Sequence, residues 1–138
     1  MAEALILDAE AVNALAYKAE RRVLAERAAA ILQLAYEKRA LVRVPAPVLA
    51  EVCRGVKHDS AINQLLKNPG VQVSELTRSV AQRAGHLLAR LKLSSTRAVD
   101  AFVVATAAEF DTAVIATGDP KEMRRLAAPF SKIGIFSL

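Results

Sequence analysis

Residues 99–119 read VDAFVVATAAEFDTAVIATGD, and the passage from helix to strand inside this stretch decides the fold. Phe102 to Ala108 lie on a helix whose start is offered hydroxyl caps by Ser94, Ser95 and Thr96 and whose end falls close to Asp111. Ala113 to Ala116 form a short uninterrupted apolar run, the signature of a strand covered on both faces. The helix must run antiparallel to the strand it feeds. Its first turn, which carries Asp100, is therefore brought to the side where the strand ends and where Asp119 stands three residues beyond Ala116.

Outward from this stretch the same alternation repeats. Ala4 to Leu7, Leu41 to Val44, Val71 to Val73 and Ile133 to Phe136 are further short apolar runs that predict strands. Helical spacing links Val23, Leu24, Ala28, Ile31, Leu32 and Ala35, and again Leu76, Val80, Ala84, Leu87, Leu88 and Leu91. Parallel strands need crossover connections, for which a helix is the compact choice. The expected fold class is α/β: a single domain over residues 1–138, with a central parallel five-stranded sheet flanked by helices. Pro45 and Pro47 end the second strand and open a short helix, Gly55 is placed to close that helix in a left-handed conformation, and Asn68-Pro69-Gly70 turns into the third strand.

With 138 residues, 54% of them hydrophobic and only 4% aromatic, the chain can bury a core of Leu, Val, Ile and Ala without staples. No apolar run approaches the ~20 residues that span a bilayer. Met1 to Leu7 lead into a strand without a basic leader, so a cytoplasmic location and no membrane association are expected. The single Cys53 has no disulfide partner and no Cys/His metal pattern around it, and is expected as a buried structural thiol. Nineteen Lys and Arg against fourteen Asp and Glu leave +5, which favours an anionic partner, nucleic acid first.

Three of the five aspartates stand where an apolar element meets a turn or a helix start. Asp8 follows the first strand and Asp119 the fourth, while Glu51 follows the second on the short helix begun near Pro47. Groups just beyond the carboxyl ends of parallel strands line the ligand crevice of an open sheet, so these acids and Asp100 should share one rim. Carboxylates so gathered repel one another unless a cation neutralises them. Oxygen-only ligation points to Mg²⁺ or Mn²⁺ and away from zinc. Such an ion activates water and stabilises charge on a phosphodiester, so cleavage needs no side-chain nucleophile. Taken singly, each acid has a plainer reading. Asp119-Pro120-Lys121-Glu122 is a capping box, Asp8 a strand-end turn residue, Asp100 a first-turn acid favoured by the helix dipole, and Glu51 a solvated helix residue. Their joint placement favours the site.

In order, Leu5-Ile6-Leu7-Asp8, Pro47-Val48-Leu49-Ala50-Glu51, Val99-Asp100-Ala101-Phe102-Val103-Val104-Ala105-Thr106-Ala107 and Ile115-Ala116-Thr117-Gly118-Asp119 closely resemble PIN-domain proteins over nearly the whole chain. A compact, free-standing domain of this length is most similar to the VapC-type toxins of bacterial toxin–antitoxin pairs. The resemblance implies a parallel sheet with surrounding helices, Mg²⁺- or Mn²⁺-dependent endoribonuclease activity, a homodimer, and inhibition by a cognate protein antitoxin. It assigns the catalytic and metal-holding roles to Asp8, Glu51, Asp100 and Asp119, with Thr117 as the hydroxyl residue that supports Asp119. Asp8, Asp100 and Glu51 are then expected at the principal ion, with Asp119 completing the cluster or positioning a second. One departure stands out: many relatives carry a small hydroxyl residue soon after the first Asp, whereas this chain reads Asp8-Ala9-Glu10, with Asn13 a turn further on as the available polar group.

Arg97, nearest an acid motif, is the leading candidate for contact with RNA phosphate, ahead of Arg21, Arg22, Lys121, Arg124 and Arg125, for which ordinary surface roles compete. His58 and His86 accompany no acid motif and are expected as packed or surface residues. The apolar faces of the early helices are read mainly as core, with a dimer or antitoxin surface as their other use. A phosphoryl-transfer fold of the haloacid-dehalogenase kind would need a second Asp two residues after Asp8, and a nucleotide-binding Rossmann domain a glycine loop after the first strand; both are missing. The remaining rival is a non-catalytic PIN-like domain that binds RNA or a partner. Single-stranded loops are the expected RNA target, since cleavage needs an accessible backbone.

Overall fold

In the computed structural model, which describes residues 3–20 and 22–138, the five expected strands form one sheet. They are β1 (Glu3–Leu7), β2 (Leu41–Pro45), β3 (Val71–Ser74), β4 (Thr112–Thr117) and β5 (Ile133–Ser137), in the order β3-β2-β1-β4-β5 and parallel at every pairing. The connections run through α1 (Ala9–Ala16), α2 (Arg22–Glu37), α3 (Val48–Val52), α4 (Val56–Leu66), α5 (Arg78–Arg90), α6 (Ala98–Ala107) and α7 (Pro120–Ala127). A short 3₁₀ turn, Ser95–Arg97, leads into α6. Among the described residues, no helix is long and apolar enough to cross a membrane.

The uninterrupted apolar runs have the expected cause. Ala4, Leu5, Ile6 and Leu7 of β1 and Ala113, Ile115 and Ala116 of β4 are buried, because helices cover both faces of the sheet's centre. Ile6 pairs with Arg43 on one side and Ile115 on the other, so β1 is the strand around which the core is assembled. Small residues join α5 to α6, where Val80 and Ala84 meet Ala101 and Ala105 in a second cluster. The Thr77 hydroxyl caps α5 by accepting from the Val80 N–H at 3.1 Å.

Three local expectations are corrected. Gly55 does not close the short helix: α3 ends at Val52, where the Cys53 N–H donates to the Leu49 carbonyl at 2.8 Å, and Gly55 instead precedes α4. Its φ of 119° and ψ of 174° fall in a region essentially restricted to glycine, so the break between two helices needs this residue. Little in the pattern of α4 marks it as a helix in its own right, since Ile62 is its one buried residue. Cys53 is half-buried at the end of α3; burial and the neighbouring Asp59 push its thiol up, away from the reactive thiolate. Val23 of the predicted α2 stripe is 70% exposed, because the stripe turns onto the core only further along, at Ala28 and Ala35.

Replacing Ile6 by Ala should lower stability by about 2–5 kcal/mol through lost transfer energy and a cavity next to β4, as read by urea unfolding. A loss well under ~1 kcal/mol would show that the sheet collapses around the site.

Candidate active site

Asp8 lies one residue beyond β1, where its N–H still donates to the Ala116 carbonyl of β4 at 3.2 Å. The chain then turns into α1, and the Asp8 side chain caps it: Oδ1 accepts from the Ala11 N–H at 2.9 Å. Oδ2 accepts from the Gly118 N–H at 3.3 Å, and the Thr117 hydroxyl also bonds to the carboxylate. One side chain thus ties the end of β1 to the end of β4. These are the strands from which the chain departs in opposite directions across the sheet, β1 toward β2 and β4 toward β5. In open parallel sheets the crevice outside such a switch point is where ligands bind.

Thr117 is fully buried, and its Oγ1 accepts from the Asp119 N–H at 2.9 Å. With its hydroxyl on Asp8, it links the backbone of one acid to the carboxylate of another. Gly118 is required by close approach, since a Cβ there would lie 2.7 Å from the Glu10 Cβ and would also collide with the Glu10 Cγ. Asp119 does cap α7: Oδ1 accepts from the Glu122 N–H at 3.4 Å, with Pro120 opening the helix. Capping occupies only one oxygen. Oδ2 lies 3.8 Å from Arg97 Nη1, and the same Nη1 lies 3.7 Å from Asp100 Oδ2.

Asp100 occupies the first turn of α6, half-buried, on the side predicted from the helix-then-strand order. Burial pushes its carboxyl up, as do the charges of Glu51, Asp119 and Glu122, while Arg97 pulls it down. Burial also raises Asp8, to about 6, against the hydrogen bonds from Thr117, Ala11 and Gly118, with a smaller contribution from the charge of Asp100. Asp8, Glu51, Asp100 and Asp119 are therefore electrostatic neighbours around Asp100, although Glu51 itself is exposed on α3.

Two acids were not among the predicted site residues. Glu122, assigned only to capping, is half-buried with Oε1 lacking a hydrogen-bond partner, 4.0 Å from Arg125 Nη1, and its charge bears on Asp100. Its spacing of three from Asp119 on a helix is the signal that puts both on one face. Glu10 packs against Gly118, and nothing in the sequence pairs those positions. Among the described residues, no group of three or more His, Cys, Asp or Glu forms a ready metal cage. The donor chemistry nevertheless fits a hard cation: the rim is oxygen-only, burial and neighbouring carboxylates push Asp100 up, and a guanidinium already lies between Asp100 and Asp119.

The remaining candidates lie outside this cluster. Arg22 pairs with Glu26 at 4.0 Å, Lys121 and Arg124 are exposed on α7, and Arg21 lies outside the described residues. His86 is exposed on α5. His58 is exposed on α4 and lines a cleft that also contains Asn13 and Glu51, so the polar group one turn beyond Asp8 does face the site's side of the molecule.

A family model described as the PIN domain matches residues 5–129. A comparison with curated proteins returns no match. Among solved structures, the crystal structure of VapBC2 from Rickettsia felis bound to a DNA fragment from their promoter aligns over 98% of this chain and 98% of that chain, with a TM-score of 0.67 and 14% identity. At that identity the likeness is one of fold.

The raised Asp8 carboxyl predicts a pH effect with a definite sign. The folded state binds this proton more tightly than the open chain, whose carboxyl titrates near 3.8, so stability from neutral Asp8 is complete below that value and lost as pH rises through about 6. In chelator, wild type should lose about 3 kcal/mol relative to Asp8→Asn between those limits. Parallel unfolding curves for the two proteins would show that burial does not strain Asp8.

Proposed function

The chain belongs to the PIN-domain family, matched over residues 5–129, and from that premise we propose that it is a metal-dependent endoribonuclease, the toxin of a type II toxin–antitoxin system. The observation that carries this reading is that Asp8 and Asp100, both pushed up by burial at the switch point between β1 and β4, feel one another's charge, and that the charges of Glu51 and Asp119 also bear on Asp100. These four residues are the ones that would hold Mg²⁺, or Mn²⁺ in its place. Bound there, a divalent ion supplies activation of water and charge neutralisation at an RNA phosphodiester.

The protein's own groups do the positioning. Thr117, Ala11 and Gly118 fix both oxygens of Asp8, so that this carboxylate needs little reorganisation on binding. The N-terminus of α6 favours an ionised Asp100 and offsets part of its burial. Arg97 pairs with Asp100 and Asp119, and its guanidinium would be available to an RNA phosphate if a cation took over those acids. A protein antitoxin and a second copy of this chain are the expected partners. The fold neighbour's description as VapBC2 supports the first, and exposed Val23, Leu34, Val56 and Leu76 supply apolar area for such contacts.

The decisive experiment exposes a mixed structured-RNA pool to wild type and Asp100→Ala with Mg²⁺, Mn²⁺ or chelator. Discrete metal-dependent cuts are expected, with activity falling more than about 100-fold in the variant, beyond the range of an outer-shell change. A folded wild type that binds this RNA and never cuts it would replace the enzyme with a non-catalytic PIN-like binding domain. Arg97→Ala separates two roles: RNA affinity should fall, with a salt slope shallower by about 0.7, while Mg²⁺ binding tightens because a competing cation is gone. Weaker Mg²⁺ binding would make Arg97 a scaffold for the acids instead.

A further inference from the structure

Beside the acidic rim, α1, α3, α4 and the turns at their ends line an open cleft of about 320 Å³. Glu51 belongs to both, since it lines the cleft and its charge also reaches Asp100. Two rings and two cations furnish the other walls. Tyr17, which ends α1, meets the His58 ring edge-on, with centroids 5.9 Å apart and planes at 83°, and its hydroxyl donates to the His58 carbonyl at 3.4 Å. Arg54 Nε donates to the Glu51 carbonyl at 3.3 Å, which holds the guanidinium at the end of α3, and Lys57 is exposed on the first turn of α4.

We propose that this cleft is a nucleotide subsite for single-stranded RNA, with a base against Tyr17 and His58 and an adjoining phosphate against Arg54 and Lys57. The proposal rests on the ribonuclease reading of the neighbouring rim. Its volume lies at the small end of the roughly 300–1,000 Å³ range of ligand clefts, which suits one nucleotide. An apolar ligand would leave the charged side chains of the wall, Glu20, Glu51, Arg54 and Lys57, unused. A lone anion would leave the rings unused. Duplex RNA keeps its base faces stacked, whereas an unpaired base offers one to an aromatic side chain. Glu20, an acceptor only, repels a second phosphate from this wall and matches a base amino group or a ribose hydroxyl. The position answers an electrostatic need as well: a polyanion approaching four carboxylates is repelled, and two cations adjoining Glu51 offset that repulsion where the strand must pass.

The test is fluorescence anisotropy with a labelled, mixed-sequence single-stranded RNA of about a dozen nucleotides, in chelator and low salt so that cleavage does not compete. Lys57→Glu should weaken binding by about tenfold or more and flatten its salt dependence. Tyr17→Leu, which keeps apolar bulk and removes the ring, should weaken it about tenfold with the salt slope unchanged, and should leave binding of the matching duplex unaffected. Lys38→Glu makes the same charge change near the amino end of β1, among Glu3, Ala4 and Leu5, and should cost far less. Melting curves check folding, and His58→Ala reads the same ring pair should Tyr17→Leu fail to fold. Tyr17→Leu or its substitute binding like wild type, Lys57→Glu losing no more than Lys38→Glu, or no binding by wild type would each overturn the subsite. Binding that obeys these expectations without any cutting in Mg²⁺ or Mn²⁺ would overturn the ribonuclease reading and leave the cleft. Metal-dependent cutting with cleft variants that bind normally would do the reverse.

Discussion

The carboxylate of Asp8 fastens the two central strands together just beyond their last ladder hydrogen bond. It accepts from the Ala11 and Gly118 backbones and bonds to the Thr117 hydroxyl, so the start of α1, the end of β1 and the end of β4 meet at one side chain. The other features of the site follow from that junction. Because β1 and β4 end side by side, the residues after them share a crevice; because Gly118 has no Cβ, Glu10 and the first turn of α1 can close against it. Thr117 then sets where Asp119 begins α7, by accepting its N–H.

Asp8 is 7% exposed, and burying its charge opposes the folded state in the absence of a cation. The hydrogen bonds it accepts recover part of that penalty, which is why the group persists at the centre of the sheet. The acids on the rim act on each other through Asp100, and Arg97 reduces their repulsion from the side.

Charge is unevenly spread over the molecule. The chain carries +5 overall, yet acids crowd the crevice, so the excess cations lie elsewhere on the surface. Arg97, Arg54 and Lys57 are among the cations that adjoin the acids, and they belong to different elements: the turn before α6, the end of α3 and the start of α4.

Much of this was legible in the sequence because it is local. Five uninterrupted apolar runs between helical patterns specify a parallel sheet covered on both faces, and the antiparallel relation of α6 to β4 is enough to place Asp100 beside Asp119. Capping of α7 by Asp119 was equally plain, as a preference that depends on neighbours within one turn. What the sequence did not contain is which individual side chains from distant elements touch one another. Gly118 against Glu10, Arg97 between two acids, Thr117 shared by Asp8 and Asp119, and Tyr17 against His58 all arise where separate elements are packed together. The exposure of Val23 and the placing of Gly55 before α4, with α3 already ended, also depended on how far each helix reaches before the core claims it. Periodicity determines which face of an element is apolar; only the tertiary structure decides what that face, and the charges at its ends, will meet.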